Sequence, residues 1–404
     1  MNRFQTDVAI VGGGMVGATL ACLLRDSGLA VTLLEQQPPQ SFAPGQPHDL
    51  RVSAISPASR RILESAGAWA GIAAMRSCPY RRMRVWEQRA FGDALFDAAD
   101  AGSDALGWIV ENPVTQLALW QVLEREERIS LCAPVAIKQI HYAGDGSTLH
   151  LDNGDQIHCS LLVGADGARS RVREAMGIGV NAREYRQQAL IAYVATTAAQ
   201  QDMTWQRFLP QGPQALLPLT GPHASLVWYE RPQEVKRLLA LDGDAFIDEL
   251  QQRFPPELGE VKALLGRASF PLRRQHALRY AQAGGVVIGD AAHTIHPLAG
   301  QGVNIGLLDA AVLAELLCCA QRDGRDIAGQ AVLAGYEARR RPHNLLMMSA
   351  MELFYRGFGS EQPLLKGVRN LGLALAQHSG PLKQHAVRFA MGLAGDLPDA
   401  AKAG

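Results

Sequence analysis

Residues 8–35 read VAIVGGGMVGATLACLLRDSGLAVTLLE. The apolar run Val8-Ala9-Ile10-Val11 has the length and branching of a buried strand. Gly12, Gly14 and Gly17 follow as G-x-G-x-x-G and open an Ala/Leu-rich segment that Gly28 closes, the pattern of a helix entered from a tight turn. Residues 31–34 form a second apolar run, and Glu35 stands at its end, 18 positions past Gly17 (35 − 17). In a dinucleotide fold an acid at this distance holds ribose hydroxyls, while the glycines let backbone N–H groups approach a pyrophosphate at the helix amino end. A glycine triplet alone says little. Strand, glycines, helix, strand and acid within one βαβ unit predict an α/β nucleotide-binding domain, leaving NAD and FAD both open.

The 404 residues suffice for two substructures, and 48% hydrophobic content marks a globular chain. A formal net charge of +0 argues against a general nucleic-acid binder. The six cysteines show no C-x-x-C pair or metal spacing and read as reduced thiols of a cytoplasmic protein. MNRFQTDVAIVGGG runs straight into a strand, so no signal peptide is expected, and no apolar run approaches the roughly 20 residues of a membrane span. Membrane contact is expected to be peripheral at most, at the inner face.

Two further apolar runs break at glycine and aspartate. Residues 161–173 read LLVGADGARSRVR and place Asp166 at a strand end, with Ser170 and Arg173 disposed to pair with it or with neighbouring loops. Residues 285–306 read GVVIGDAAHTIHPLAGQGVNIG and place Asp290 likewise, where a carboxylate can accept sugar hydroxyls. Leu307, Leu308, Ala311, Val312 and Leu316 recur at helical spacing, so a helix is predicted to begin near Gly302–Asn304, its amino end offering unpaired N–H groups to an anion such as a reduced flavin. Gly300, Gly302 and Gly306 are expected to let backbone approach a flat ring, with Pro297 stiffening the turn. His293 and His296 lack companions for a metal set.

Between these stretches, residues 36–50 read as a loop leading to Arg51, and Ser56-Pro57 starts a helix stopped near Gly67. The basic run Arg76 to Arg89 reads as a solvated strand face. Glu111-Asn112-Pro113 starts a helix carrying Gln116, and Asn153-Gly154 reads as a hairpin turn. Residues 182–275 change to short runs between Gly/Pro turns, predicting an antiparallel sheet, followed by helical stretches at Asp244–Phe254 and Glu257–Leu265. The end of the chain is helical in pattern.

Three separated motifs stand together: G-x-G-x-x-G at 12–17, D-G-x-x-S-x-V-R at 166–173, and G-D-A-A-H with P-x-x-G-Q-G-x-N at 289–304. With DLRVSAISPAS, MRSCPYRRMRVWE, VEN before QLALWQ, and ASLVWY, they resemble the group A flavoprotein aromatic monooxygenases, within them the ubiquinone-biosynthesis hydroxylases. The resemblance implies an α/β fold: a Rossmann-like FAD-binding domain of para-hydroxybenzoate hydroxylase type, an inserted antiparallel β-sheet substrate domain, and C-terminal helices. It divides the chain into a discontinuous FAD-binding domain (1–75, 100–181, 276–340), a substrate domain (76–99, 182–275) and a helical region (341–404). By resemblance, Gly12, Gly14 and Gly17 approach the FAD pyrophosphate and Glu35 holds the adenosine ribose. Arg51 and Gln116 reach the pyrophosphate and ribityl region, Asp166 serves both FAD and NAD(P)H, and Asp290 binds ribityl hydroxyls. Gly302, Val303 and Asn304 contact the flavin ring, with Pro297 and Gly302 in its loop.

The implied chemistry is hydroxylation of a polyprenylated phenol or quinol by O2 through a C4a-hydroperoxide, with NAD(P)H or a redox protein as donor and no protein acid or base required. A scaffold within a quinone-synthesis assembly would not need the residues at 297–304, and the W-x-W-x-I-P of halogenating relatives is absent. Residues 345–393 are apolar with interspersed Lys and Arg, which suits a helix against a membrane, against other ubiquinone-biosynthesis proteins, or against the chain's own core.

Overall fold

The computed structural model describes residues 2–88, 93–295, 302–359, 391 and 395–402. Its first sheet runs β17 (Ala281–Gln282), β18 (Gly285–Val287), β11 (Gln156–Gly164), β1 (Arg3–Val11), β2 (Val31–Leu34) and β8 (Ile129–Cys132), with β10 (Ser147–Leu151) on β11 and β9 (Ile137–His141) on β10. The strands β18, β11, β1, β2 and β8 are mutually parallel. Parallel strands are buried on both faces, which is why these runs are continuously apolar rather than alternating.

Register decides where function sits. Val11 pairs with both Leu34 and Gly164, and Gly164 pairs with Val287, so the carboxyl ends of four strands are level. Gly12, Glu35, Asp166 and Asp290, distant in sequence, therefore all emerge at one edge, the edge at which open α/β sheets bind ligands.

Helix α1 (Met15–Leu23) leaves β1 at that edge and crosses α8 (Gly302–Arg322). A Cβ on Gly306 would lie 2.7 Å from Val16 Cγ2, so this glycine serves the close crossing of the two helices, where the sequence suggested approach to a flat ring. Helix α8 also passes the length and composition test for a membrane span that no stretch was expected to meet, but 72% of its most apolar window is buried, as in a core helix. Around it pack α2 (Pro57–Ser65), capped by Ser56 Oγ on Ser59 N–H, α3 (Trp69–Met75), α4 (Asn112–Leu123) and the first turns of α9 (Gln330–Gly359). Short α5 (Arg171–Ala175) follows the Asp166 turn.

The second sheet runs β19 (His293–Thr294), β16 (Val261–Ala277), β12 (Val180–Thr196), β15 (His223–Glu230), β14 (Gln214–Leu219), β13 (Met203–Phe208), β5 (Arg82–Glu87) and β6 (Asp93–Asp97). It is antiparallel except where β13 meets β5 in parallel. A third sheet joins β3 (Val52–Ile55), β7 (Gly107–Glu111) and β4 (Cys78–Tyr80) between the two.

Alternation in the second sheet separates two faces. Leu190, Ala192, Val194, Leu216 and Leu226 pack outward against α6 (Pro232–Ala240) and α7 (Gly243–Arg253), whose Val235, Leu238, Phe246 and Leu250 are buried there. Each such large side chain contributes about 1.5–3 kcal/mol by burial. Ile191, Tyr193, Leu217, Ser225 and Val227 face the other way, toward β3 and α9.

Two local expectations fail. Glu257–Leu265 is not helical: a short 3-10 turn ends at Gly259 (φ 73°), and Val261 starts the long strand β16, where Ala263 and Leu264 pair with Ala195 and Val194. Pairing overrides a helical pattern that short runs cannot discriminate. In the basic run, Arg82 and Arg84 are solvated and ion-paired on β5, but Arg76 is buried against Glu111, with Nη1–Oε2 at 3.2 Å. Residues 360–390 and 392–394, most of the apolar C-terminal segment, lie outside the described residues.

Candidate active site

The glycine turn after β1 is built by close approach. Gly12 has φ 105°, and a Cβ there would sit 2.4 Å from the Ala165 carbonyl oxygen; one on Gly17 would sit 2.0 Å from the Gly12 carbonyl oxygen. Gly14 caps α1 and, among the described residues, has open space where a side chain would stand. Gly13 N–H donates to Glu35 Oε2 at 2.7 Å, and Gln37 N–H donates to Oε1 at 2.8 Å. The Gly13 carbonyl accepts from Gln116 Nε2 at 2.9 Å and from the Trp120 indole at 2.8 Å. Gln116 thus acts on the turn itself, and Trp120, read from sequence as core stripe, is its second clasp.

Beside this turn opens a cleft of about 370 Å³ lined by Gly12, Gly14, Glu35, Val135, Asp166 and Arg169. Asp166 Oδ2 accepts from the N–H groups of Arg171 and Val172 at 2.7 and 3.2 Å, while Oδ1 is buried without a hydrogen-bond partner among the described residues. Ser170 Oγ caps Arg173 N–H, and the Arg173 guanidinium donates to the carbonyls of Ala291 and Ala168, tying the Asp166 turn to the Asp290 turn.

Asp290 keeps accessible surface although protein surrounds it on nearly every side, the situation of a side chain lining a recess. Burial holds its carboxyl above the usual range, and the nearby His293 and Arg51 charges pull it back. Arg51, itself exposed, is fixed by its backbone: its N–H donates to Asp49 Oδ1 at 2.6 Å and its carbonyl accepts from Asn112 N–H at 2.9 Å. The first turn of α8 places Gly302 and Val303 beside this recess, and among the described residues only Ile295 comes within 4 Å of a Cβ built on Gly302. Asn304 is buried, its amide donating to Ala54 O at 2.8 Å and accepting from Ser56 N–H at 3.0 Å, so its side chain joins α8 to the β3–α2 corner. Pro297, with His296 and Gly300, lies outside the described residues.

These features suit FAD. An open glycine-capped helix start, a carboxylate at the end of β2 and a second helix start beside a recessed carboxylate offer sites for pyrophosphate, ribose, ring and ribityl chain along one edge. A family model for the FAD binding domain matches residues 5–350. Over 393 residues the chain is 44% identical to 3-demethoxyubiquinol 3-hydroxylase of Escherichia coli, covering 97% of this chain and 100% of that protein. The chain belongs to the FAD-dependent ubiquinone-biosynthesis hydroxylases. This hydroxylase is also 40% identical to ubiquinone hydroxylase UbiL of Rhodospirillum rubrum, over 96% of its own length and 89% of that protein. In fold it matches p-nitrophenol 4-monooxygenase PnpA of Pseudomonas putida, with TM-score 0.79 at 19% identity, covering 98% of this chain and 100% of that one.

The hydroxylase also holds a cluster that motif reading missed. His48 Nδ1 bonds Tyr193 OH at 2.9 Å, the His223 ring lies 5.2 Å from that of His48, and Arg76 stands nearby. Burial first, then Arg76 and His223, hold the His48 imidazole down to about 4. His276 is held down to about 4 by burial and by His293, Arg341 and Arg274. In the unfolded chain both would protonate near pH 6.5, so between about 6.5 and 4 the unfolded state binds more protons and stability falls as pH drops. Thermal melts across that window should show Tm declining with acidification, and His276→Gln should flatten the slope; an unchanged slope would leave His276 out of the acid response.

Proposed function

We propose that this hydroxylase inserts one oxygen atom of O2 into the ring of a polyprenylated benzoquinol, at the step performed by 3-demethoxyubiquinol 3-hydroxylase, with 2-octaprenyl-3-methyl-6-methoxy-1,4-benzoquinol as substrate. NAD(P)H or a redox protein supplies the electrons, and other ubiquinone-biosynthesis proteins are candidate partners. The carrying observation is end-to-end identity of 44% with that enzyme. Bound FAD supplies the redox chemistry that activates oxygen. Gly12, Gly14, Gly17 and Glu35 hold its adenosine end. Arg51, Asp166 and Asp290 surround its centre, and Gly302, Val303 and Asn304 form or brace the backbone at its ring.

The chain's remaining contribution is an apolar face for the substrate ring. On the inner face of the second sheet Tyr193 and Leu217 pack with Val52 and Ala54, and Ile191 and Val227 pack with Met351 and Tyr355 of α9, where Met351 also joins Ile305, Met347 and Met348. An apolar enclosure holds a ring against the flavin and keeps water out. Ser225 Oγ, on the same face, is buried without a partner among the described residues, which supports a role in bonding a ring hydroxyl. Arg76, the cation near Tyr193, is paired with Glu111, and none of the named inner-face side chains itself carries a positive charge to clamp a carboxylate.

Purified FAD-loaded enzyme should therefore hydroxylate a prenylated benzoquinol and leave 4-hydroxybenzoate untouched, as followed by mass spectrometry of products. Deleting the gene in its host should accumulate the demethoxy precursor. Comparable turnover of the carboxylated phenol, or accumulation of a different precursor, would reject this substrate.

A further inference from the structure

Behind the Asp290 turn lies a fully buried carboxylate that cofactor binding does not account for. Asp309 of α8 is 0% exposed. Its Oδ2 accepts from Gly289 N–H at 3.1 Å and from His293 Nε2 at 2.5 Å. Its Oδ1 accepts from Arg340 Nε at 2.7 Å and from Asn344 Nδ2 at 3.1 Å. Arg340 in turn donates to Asn344 Oδ1 at 2.8 Å and to the Ile305 carbonyl, so α8 and α9 are locked around the same charge. Burial alone would raise the Asp309 carboxyl, but His293 and Arg340 outweigh it and hold the group well below the carboxylate range.

Buried ion pairs are costly to desolvate and are weak evidence for stability, so such a cluster in an apolar core calls for a role in fixing position. The geometry supplies one. Gly289 and His293 bracket Asp290, and one oxygen of Asp309 holds both of them. Gly289, at φ 57°, makes the sharp turn between them, and Val16 of the glycine-turn helix packs against it. We propose that Asp309 is a positioning residue for the cofactor: through Gly289 and His293 it fixes the turn that aims the Asp290 carboxylate into the FAD recess, and through Arg340 it fixes that turn to α9. This rests on Asp290 being a cofactor ligand.

A double-mutant cycle on FAD affinity tests it, with apoprotein titrated by FAD and read by flavin fluorescence. His293→Leu should weaken FAD binding by at least about tenfold, the scale of a coupling of 1.4 kcal/mol. His293→Gln, which can still donate an N–H to the carboxylate, should stay within about threefold of wild type. Adding His293→Leu to Asp290→Ala should cost no more than about twofold beyond Asp290→Ala alone, because the turn then has nothing left to aim. Additive losses, or a His293→Gln as damaged as His293→Leu, would overturn the positioning role. If His293→Leu fails to fold by far-UV circular dichroism, the nearly isosteric Asp309→Asn takes its place in the cycle, with the same non-additivity required. Failure of both to fold would overturn the proposal in favour of a purely structural cluster. Unchanged FAD affinity in Asp290→Ala alone would instead reject the ligand assignment beneath it.

Discussion

Replacing Asp290 with alanine is expected to weaken FAD binding by about tenfold to a hundredfold and to lower hydroxylation accordingly, the effect of losing a hydrogen bond to a charged group worth about 1.5–3 kcal/mol. The carboxylate follows β18 in a protein-lined recess between Arg51 and the start of α8, exposed at its turn and so reachable. Surrounding protein lowers the local dielectric, so a bond to a ribityl hydroxyl there is screened less than in bulk water. Arg84→Ala is the comparison. Its ion pairs with Asp93 of β6 and with Glu257 of the turn after α7 are partly solvated, of a kind contributing about 0–1 kcal/mol, and FAD affinity should not move. Fluorescence titration of both variants decides the matter, and equal losses would remove Asp290 from the site.

Gly17→Ala should be more damaging still. The new methyl group would lie 2.0 Å from the Gly12 carbonyl oxygen and 3.0 Å from Ala165 Cβ, with backbone rather than a yielding side chain on the near side. Relief requires α1 to move away from the turn, which opens the cradle at Gly14 and disturbs the Val16 crossing with α8. Overpacking costs about 1–3 kcal/mol or more, and here it falls on the geometry that must meet the pyrophosphate. The expected result is loss of FAD binding by more than about a hundredfold together with a lower apoprotein Tm. Gly14→Ala, where a Cβ meets nothing within 4 Å among the described residues, should leave the apoprotein Tm near wild type while still weakening FAD, because its side chain projects toward the ligand. If Gly17→Ala binds FAD normally, the close approach of turn and helix does not set the site.

What the sequence by itself determined was the local grammar at strand ends. A strand followed by G-x-G-x-x-G, a helix, a strand and an acid is readable because each part depends on neighbours a few residues away: apolar runs, glycine turns and helix starts. The same held for Asp166 and Asp290 after their strands, for Ser56-Pro57 and Asn112-Pro113 at helix starts, and for the family, whose three motifs are each local. Only the tertiary structure decided what those ends have in common. Level parallel register brings Gly12, Glu35, Asp166 and Asp290 to one edge. The burial of Arg76 on Glu111, the turn from helical pattern to strand at Val261, and the contact of Gly306 with Val16 were likewise hidden, since each depends on a partner far along the chain. Asp309 shows the limit most plainly. On a helix it reads as one acid among apolar neighbours, and its meaning appears only when folding sets Gly289, His293, Arg340 and Asn344 around it, because pairing of a buried charge is a property of three-dimensional surroundings that spacing in sequence does not encode.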